Sequence, residues 1–316
     1  MKKPLRKQWA LALALGLSSS LNAQTRIPQT MAASGDSLTA AALAAFKRSD
    51  AHNPILIAKF LFLLGKIGYM GSLHAFEARQ RSWATGDGSR VRSHARRLME
   101  LNEAQGTELK AYNAAVSGAT SYDIQEQIDA ILKWSRKTTS QNAPDYVLLA
   151  IGANDACYDT NEEMTPTSTY SNHVRNAVYK TLDANPNTRI LISGIPNLEH
   201  LRNVAENSWL GLPPLSKCKD IWAVHKFCNN VLLENDPAKR HEVTLRLIDY
   251  HKEIEKIRLD ANNRYGKDRV RFSQDVYNYK FSDDDISIDC FHPNSNGQQI
   301  ISDVTWKKSW WSHLKP

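Results

Sequence analysis

Ser37, in the quartet Gly35-Asp36-Ser37-Leu38, carries a hydroxyl that becomes a nucleophile once a neighbouring base takes its proton. The chain has 10 histidines, and one of them, His292, follows Asp289 three residues on in Asp289-Cys290-Phe291-His292-Pro293. In a turn or short helix that spacing lets the carboxylate reach the far ring nitrogen, fix the tautomer and stabilise the imidazolium. A tetrahedral intermediate also needs hydrogen-bond donors already aimed at its oxygen. Gly118, in Asn113-Ala114-Ala115-Val116-Ser117-Gly118, has no side chain to block approach to its amide. Asn154, in Gly152-Ala153-Asn154-Asp155, supplies a side-chain amide, and the Ser37 backbone N–H is a third donor. Each residue alone has a plainer reading: a turn glycine, a loop cap, a surface or core histidine. Together they comprise nucleophile, base, orienting carboxylate and oxyanion donors, the parts that ester cleavage through an acyl-enzyme requires without metal or organic cofactor. Asp36 and Asp155, beside two of them, read as carboxylates that bond the loop backbones.

Residues so far apart in sequence need a scaffold that gathers them. The run 146–151 is continuously apolar and ends at a glycine, as a strand buried on both faces would. Segment 189–194 reads alike, and 109–116, 270–272 and 30–34 are further strand candidates. Helical patterns lie between them, at 91–104, 121–134, 170–182 and 243–265, with a last one at 294–311. Such alternation predicts a central, mostly parallel, doubly wound sheet with right-handed crossovers. Ligands in open parallel sheets bind beyond the carboxyl ends of the strands. Ser37, Gly118 and Asn154 each fall just past a predicted strand and would converge on that edge.

The amino terminus predicts export. Lys2, Lys3, Arg6 and Lys7 precede an apolar run at 9–17, then small residues up to Ala23, the layout of a cleaved secretory signal peptide. The run is shorter than the ~20 apolar residues of a spanning helix. A mature chain of residues 24–316 is expected to form one domain with insertions at about 44–106 and 198–240, destined for the periplasm or secretion. Four of the 40 basic residues and none of the 33 acidic ones precede Gln24, which leaves 36 against 33. That balance argues against a nucleic-acid partner, and Arg90, Arg92, Arg96 and Arg97 read as one solvated helix face. In the apolar segment 55–70, Lys59 and Lys66 share one stripe, so it reads as a packed helix or as a cap contacting lipid. Trp306, Trp310 and Trp311 read as docking the last helix on the sheet, with interfacial anchoring as the alternative.

Four cysteines suit an oxidising compartment. If Asn154 and His292 meet at one site, Cys157 and Cys290 must lie close, so the expected bridges are Cys157–Cys290 and Cys218–Cys228. Taking Cys218, His225 and Cys228 as metal ligands instead leaves a tetrahedral site one ligand short.

The blocks around Ser37, Gly118, Asn154 and His292 resemble those of the GDSL, or SGNH, hydrolase superfamily, in the same order and across nearly the whole mature chain. A narrower likeness, to the phospholipase-B-like branch, lies in Ser82-Trp83, Gly86-Asp87-Gly88, the block from Asn113 to Ala119, and the cysteines after Asn154 and before His292. Ala153 departs from the glycine common in that branch, and Pro293 follows the histidine as in the wider superfamily. The resemblance implies a flavodoxin-like, three-layer α/β/α sandwich, which agrees with that alternation, a Ser37–His292–Asp289 triad and an oxyanion hole of Ser37, Gly118 and Asn154. It also implies a lipid or small-molecule ester as substrate, in a lipase, phospholipase or lysophospholipase, with transient contact to a lipid surface. Carbohydrate O-acetyl esters are the alternative on the same machinery, and a non-catalytic surface binding protein is a second. The chain has no Gly-x-Ser-x-Gly elbow, which argues against an α/β-hydrolase lipase.

Overall fold

The five strand candidates build one sheet. The computed structural model describes residues 26–47, 66, 68, 70–206, 208–212 and 215–315. The expected leader at 1–23, and most of the 55–70 segment with Lys59, lie outside those residues. The sheet strands are β1 (Thr30–Gly35), β2 (Lys110–Asn113), β3 (Tyr146–Ala150), β4 (Arg189–Ser193) and β7 (Val270–Ser273), in the order β2-β1-β3-β4-β7. All four pairings are parallel, with Ala33 opposite both Asn113 and Leu148. β1 and β3 are buried along their whole length, as their apolar runs require, whereas the edge strand β2 is partly exposed. Chain order reverses between β1 and β3, which makes that crevice the switch point at which such sheets bind ligands.

Helices flank the sheet. Short α1 (Ser37–Ala40) follows β1 directly, and α2 (His94–Glu103) bonds to α11 (Ser295–Trp306) through the buried His94–Thr305 contact of 2.9 Å. Three longer helices, α3 (Ile124–Thr139), α5 (Thr167–Ala184) and α9 (Pro237–Tyr265), pack in series. α9 starts two turns before its apolar periodicity because Asp236 caps it, accepting from Ala238 N at 2.9 Å, and Pro237 opens its first turn. Trp310 and Trp311 are buried, and their indoles donate to the carbonyls of Asp268 and Arg26, so the terminal segment docks on the body. Of the four arginines expected to share one helix face, Arg90 and Arg92 precede α2 and only Arg96 and Arg97 lie on it; Arg92 and Arg96 pair with Glu100, and Arg97 with Asp303.

One strand is shorter than its apolar run. β2 stops at Asn113 although the run continues to Val116. The Asn113 side chain donates to Thr39 O (2.9 Å) and Thr85 Oγ1 (2.8 Å) and accepts from Ala115 N (3.0 Å). Arg79 takes the carbonyls of Asn113 (3.0 Å) and Ala115 (2.9 Å). Side chains thus satisfy backbone groups past the end of the strand, while the amides of Ala114 and Val116 still donate to Ala33 O (2.8 Å) and Gly35 O (3.1 Å) of β1.

The region 198–240 carries helix α6 (Leu198–Ala205), the antiparallel pair β5 (Trp209–Leu212) and β6 (Leu215–Lys217), and helices α7 (Cys218–His225) and α8 (Asn229–Leu232).

Candidate active site

Ser37 stands immediately beyond β1. Gly35 is required there: a Cβ would lie 2.4 Å from the Ala150 carbonyl oxygen of β3. Asp36 caps the turn, its carboxylate accepting from Leu38 N at 2.9 Å. Burial pushes the Asp36 carboxyl up to about 7, although the Leu38 N–H and the nearby His292 oppose the rise.

His292 reaches the same point from a loop between β7 and α11. Its Nε2 lies 2.7 Å from Ser37 Oγ and its Nδ1 2.6 Å from Asp289 Oδ2. Asp289 Oδ1 accepts from the backbone of Phe291 (3.1 Å) and His292 (3.0 Å), so the spacing of three closes one turn around the carboxylate. Asp289 is fully buried, His292 3 % exposed and Ser37 6 % exposed. A carboxylate can only accept, so it places the imidazole proton on Nδ1 and leaves Nε2 to accept the serine hydroxyl.

Gly118 and Asn154 line the same cleft as Ser37 and His292, a cavity of about 470 Å³. Gly118 has φ +82°, the left-handed region that favours glycine. Asn154 donates one amide hydrogen to Ala119 O at 2.8 Å, which orients the side chain and ties it to the Gly118 loop. Asp155 accepts from Ser121 N (2.8 Å) and Oγ (2.6 Å), a second tie between these loops, and its carboxyl is pushed up by burial. A neighbouring trough of about 540 Å³, lined by Tyr112, Ala114 and Val116 among others, shares Met70 and Gly118 with the cleft.

The bridges differ from expectation. Cys157 pairs with Cys228 (Cα–Cα 4.4 Å) and Cys218 with Cys290 (5.6 Å). Cys218 opens α7 and Cys228 lies three residues beyond its end, so a helix roughly 12 Å long at 1.5 Å per residue stands between them, whereas a disulfide needs Cα atoms within about 7 Å. Nor do Cys157 and Cys290 meet directly. The segment from Cys218 to Cys228 is bonded to both loops, as a strap. Asn230 fixes one end: its backbone N donates to Tyr158 O (3.0 Å), and its side chain accepts from Tyr158 N (3.1 Å) and donates to Ala156 O (2.9 Å). Lys226 and Phe227 of the strap line the cleft. Since both cysteines of the supposed Cys218, His225 and Cys228 metal set are in disulfides, that alternative is withdrawn.

Several residues that position the site escaped sequence reasoning. Gln127 accepts from Ser34 Oγ (2.7 Å) and Gly35 N (2.8 Å) and donates to Gly35 O (2.9 Å), clamping the end of β1. Its signal was a polar residue on the buried stripe of Ile124, Ile128 and Ile131. Gln298 is a second such residue, donating to Leu38 O at 2.9 Å. Glu77 joins Arg79 (2.7 Å) and Ser117 Oγ (2.9 Å), bracing the Gly118 loop; nothing in its local pattern marked it.

Among known proteins, the model of the family described as GDSL-like Lipase/Acylhydrolase matches residues 31–304. Nothing among curated proteins matches the chain. The structure is similar to that of an extracellular lipase from Streptomyces rimosus, at TM-score 0.44 and 12% identity, over 87% of this chain and 98% of that one. It is also similar to a family 3 carbohydrate esterase from Clostridium thermocellum, at 0.44 and 14%, over 88% and 94%. A third similar structure is phospholipase A1 from Streptomyces albidoflavus, at 0.40 and 11%, over 89% and 100%.

Proposed function

We propose that this chain, which belongs to the GDSL-like lipase/acylhydrolase family, hydrolyses carboxylic esters through an acyl-enzyme on Ser37. The observation that carries the proposal is the unbroken relay from Asp289 to His292 (2.6 Å) to Ser37 (2.7 Å), which opens on a cleft. In the first half-reaction Ser37 Oγ bonds to the ester carbonyl carbon while its proton passes to His292 Nε2. The carbonyl oxygen becomes an oxyanion, held by the amides of Ser37 and Gly118 and the Asn154 side chain. Collapse breaks the bond to the alcohol, which leaves with the proton from Nε2. Water, deprotonated by Nε2, then attacks the acyl carbon and releases the acid and Ser37. Asp289 stays ionised throughout and stabilises the imidazolium.

We further propose an acyl lipid or lysophospholipid as substrate, in keeping with the likeness to the phospholipase-B-like branch. The trough that shares Met70 and Gly118 with the cleft gives an acyl chain longer than acetyl room to lie. A carbohydrate O-acetyl ester has one feature in its favour, the polar cleft wall of Asp159, Glu163 and Lys226 beside aromatic Phe227. Export through cleavage after Ala23 is part of the proposal and accords with two disulfides.

A fluorophosphonate probe is expected to label Ser37, and Ser37→Ala to abolish both labelling and turnover of p-nitrophenyl esters with unfolding unchanged. Undiminished turnover in Ser37→Ala would overturn the nucleophile. A probe-inert, correctly folded wild type would leave a binding protein on this fold. Rates rising with acyl length support the lipid substrate, and a maximum at acetyl the carbohydrate one.

A further inference from the structure

At the amino ends of β4 and β7, the opposite end of the sheet from Ser37, lies a third cavity, of about 420 Å³. Five cations line it: Arg189, Lys267, Arg269, Arg271 and Lys307. One acid, Asp268, accompanies them. Arg271 occupies that acid, with contacts of 2.7 and 2.6 Å, and spends its remaining donor on the carbonyls of Lys308 and Ser309. Arg269 has only neutral acceptors, the backbone and side-chain oxygens of Asn187, each at 3.1 Å. The Arg189 guanidinium lies over the rings of Trp310 and Trp311 at 5.6 Å from each. Its Nε is buried and has no hydrogen-bond partner among the described residues. Burial pushes the Arg189 pKa down, and the neighbouring Arg269 and Arg271 add to that.

The lining therefore holds four more positive charges than negative ones, against an excess of three for the whole chain from Gln24 onward. The rest of the mature chain is close to balanced, so the excess is local. Clustered guanidinium and ammonium groups that repel one another and share a single acid are relieved by a multivalent oxyanion, whose oxygens match the fork of arginine. We propose that this cavity binds a phosphate group, borne by a small ester or a lipid headgroup. A nucleobase is not accommodated by stacking, because Arg271, 4.6 Å from the ring centre, and Arg189 already cover Trp310. The site is independent of the ester-cleaving reading, since none of its residues lines the catalytic cleft.

The test compares the full chain with a Lys267→Gln/Lys307→Gln double variant, which removes two exposed charges and leaves the Arg189–tryptophan packing intact. Calorimetric titration with inorganic phosphate is expected to show one saturable site that weakens with salt. The double variant should bind about tenfold or more weakly, with unchanged p-nitrophenyl ester hydrolysis and unfolding midpoint. Sedimentation with phosphatidylcholine vesicles, with and without phosphatidylglycerol, separates the sources. Binding to the anionic vesicles without affinity for free phosphate assigns a headgroup, and the converse a soluble phosphate ester. If neither probe binds, or if the double variant binds both as the wild type does, the inference is overturned.

Discussion

Ser37 and His292 reach the same point by opposite means. Ser37 sits at the end of a strand buried along its length, and its turn is clamped by amide side chains: Gln127 on Gly35, Gln298 on Leu38 and Asn113 on Thr39. His292 belongs to a loop with no strand beneath it. That loop is held by its own internal bonds, Ser287 N to His292 O (2.7 Å) and Asn294 Nδ2 to Ile286 O (3.0 Å), and by the Cys218–Cys290 bridge. The proposed nucleophile is thus placed by a strand end and the proposed base by cross-links. Beside a buried strand end, hydrogen bonds from side chains suffice to fix the turn, whereas the loop adds a covalent tie to hold a hydrogen bond of 2.7 Å.

The contrast can be broken in graded ways. Asp289→Asn keeps an oxygen for the backbone amides but offers a donor to Nδ1, so it favours the wrong imidazole tautomer. We expect kcat to fall about 10⁴-fold with the unfolding midpoint little moved; a loss below tenfold would remove Asp289 from the relay. Next comes Asn154→Ala, for which steady-state kinetics should show a loss of about 10²–10³ in kcat. A change confined to KM would deny it an oxyanion role. Replacing Cys218 and Cys290 by serine opens a bridge with a sequence separation of 72. Urea unfolding should report a loss of about 4 kcal/mol, and turnover should fall by about tenfold to a hundredfold as His292 loses its position. Unchanged turnover would mean that the internal bonds of the loop suffice and the contrast is overstated.

The smallest effect on turnover belongs to Asp36→Asn, which keeps the acceptor for Leu38 N. Its signature is in stability. Because burial raises the Asp36 carboxyl from 3.8 to about 7, between those pH values the folded chain holds a proton that the unfolded chain has released. Wild-type stability from this group is complete below pH 3.8 and is lost as pH rises through about 7. The variant lacks that slope, so its urea midpoint should gain on the wild type from pH 4 to pH 8. Parallel pH profiles would refute the buried, protonated Asp36.

The sheet was legible because β3 and β4 are short apolar runs closed by glycine and alternate with helical patterns. Ser37, Gly118, Asn154 and His292 were legible as a set because each lies in a short block at a strand end or in a tight turn, where local sequence dictates geometry. What lay hidden depends on long-range placement. Gln127 acts on a strand 92 residues away, and its helix shows only a polar interruption. The cysteine pairing failed for a similar reason: the sequence put the Asn154 and His292 loops at one site but did not reveal a third segment bonded to both. The cavity around Arg189 draws on β4, β7 and the terminal turn, so the charged stretch 267–271 did not by itself reveal that Arg189 and Lys307 join it.

The two bridges interleave, since Cys218 lies inside the loop closed by Cys157 and Cys228 and is itself joined outside it, to Cys290. Synthesis proceeds from the amino end, so the first two thiols to emerge are Cys157 and Cys218, which are not partners. If oxidation followed the order of arrival it would join the wrong pair, and the native pattern would then require thiol–disulfide exchange. Cys290, two residues before His292, arrives last, so the base's loop can be locked only after nearly all of the chain has been made.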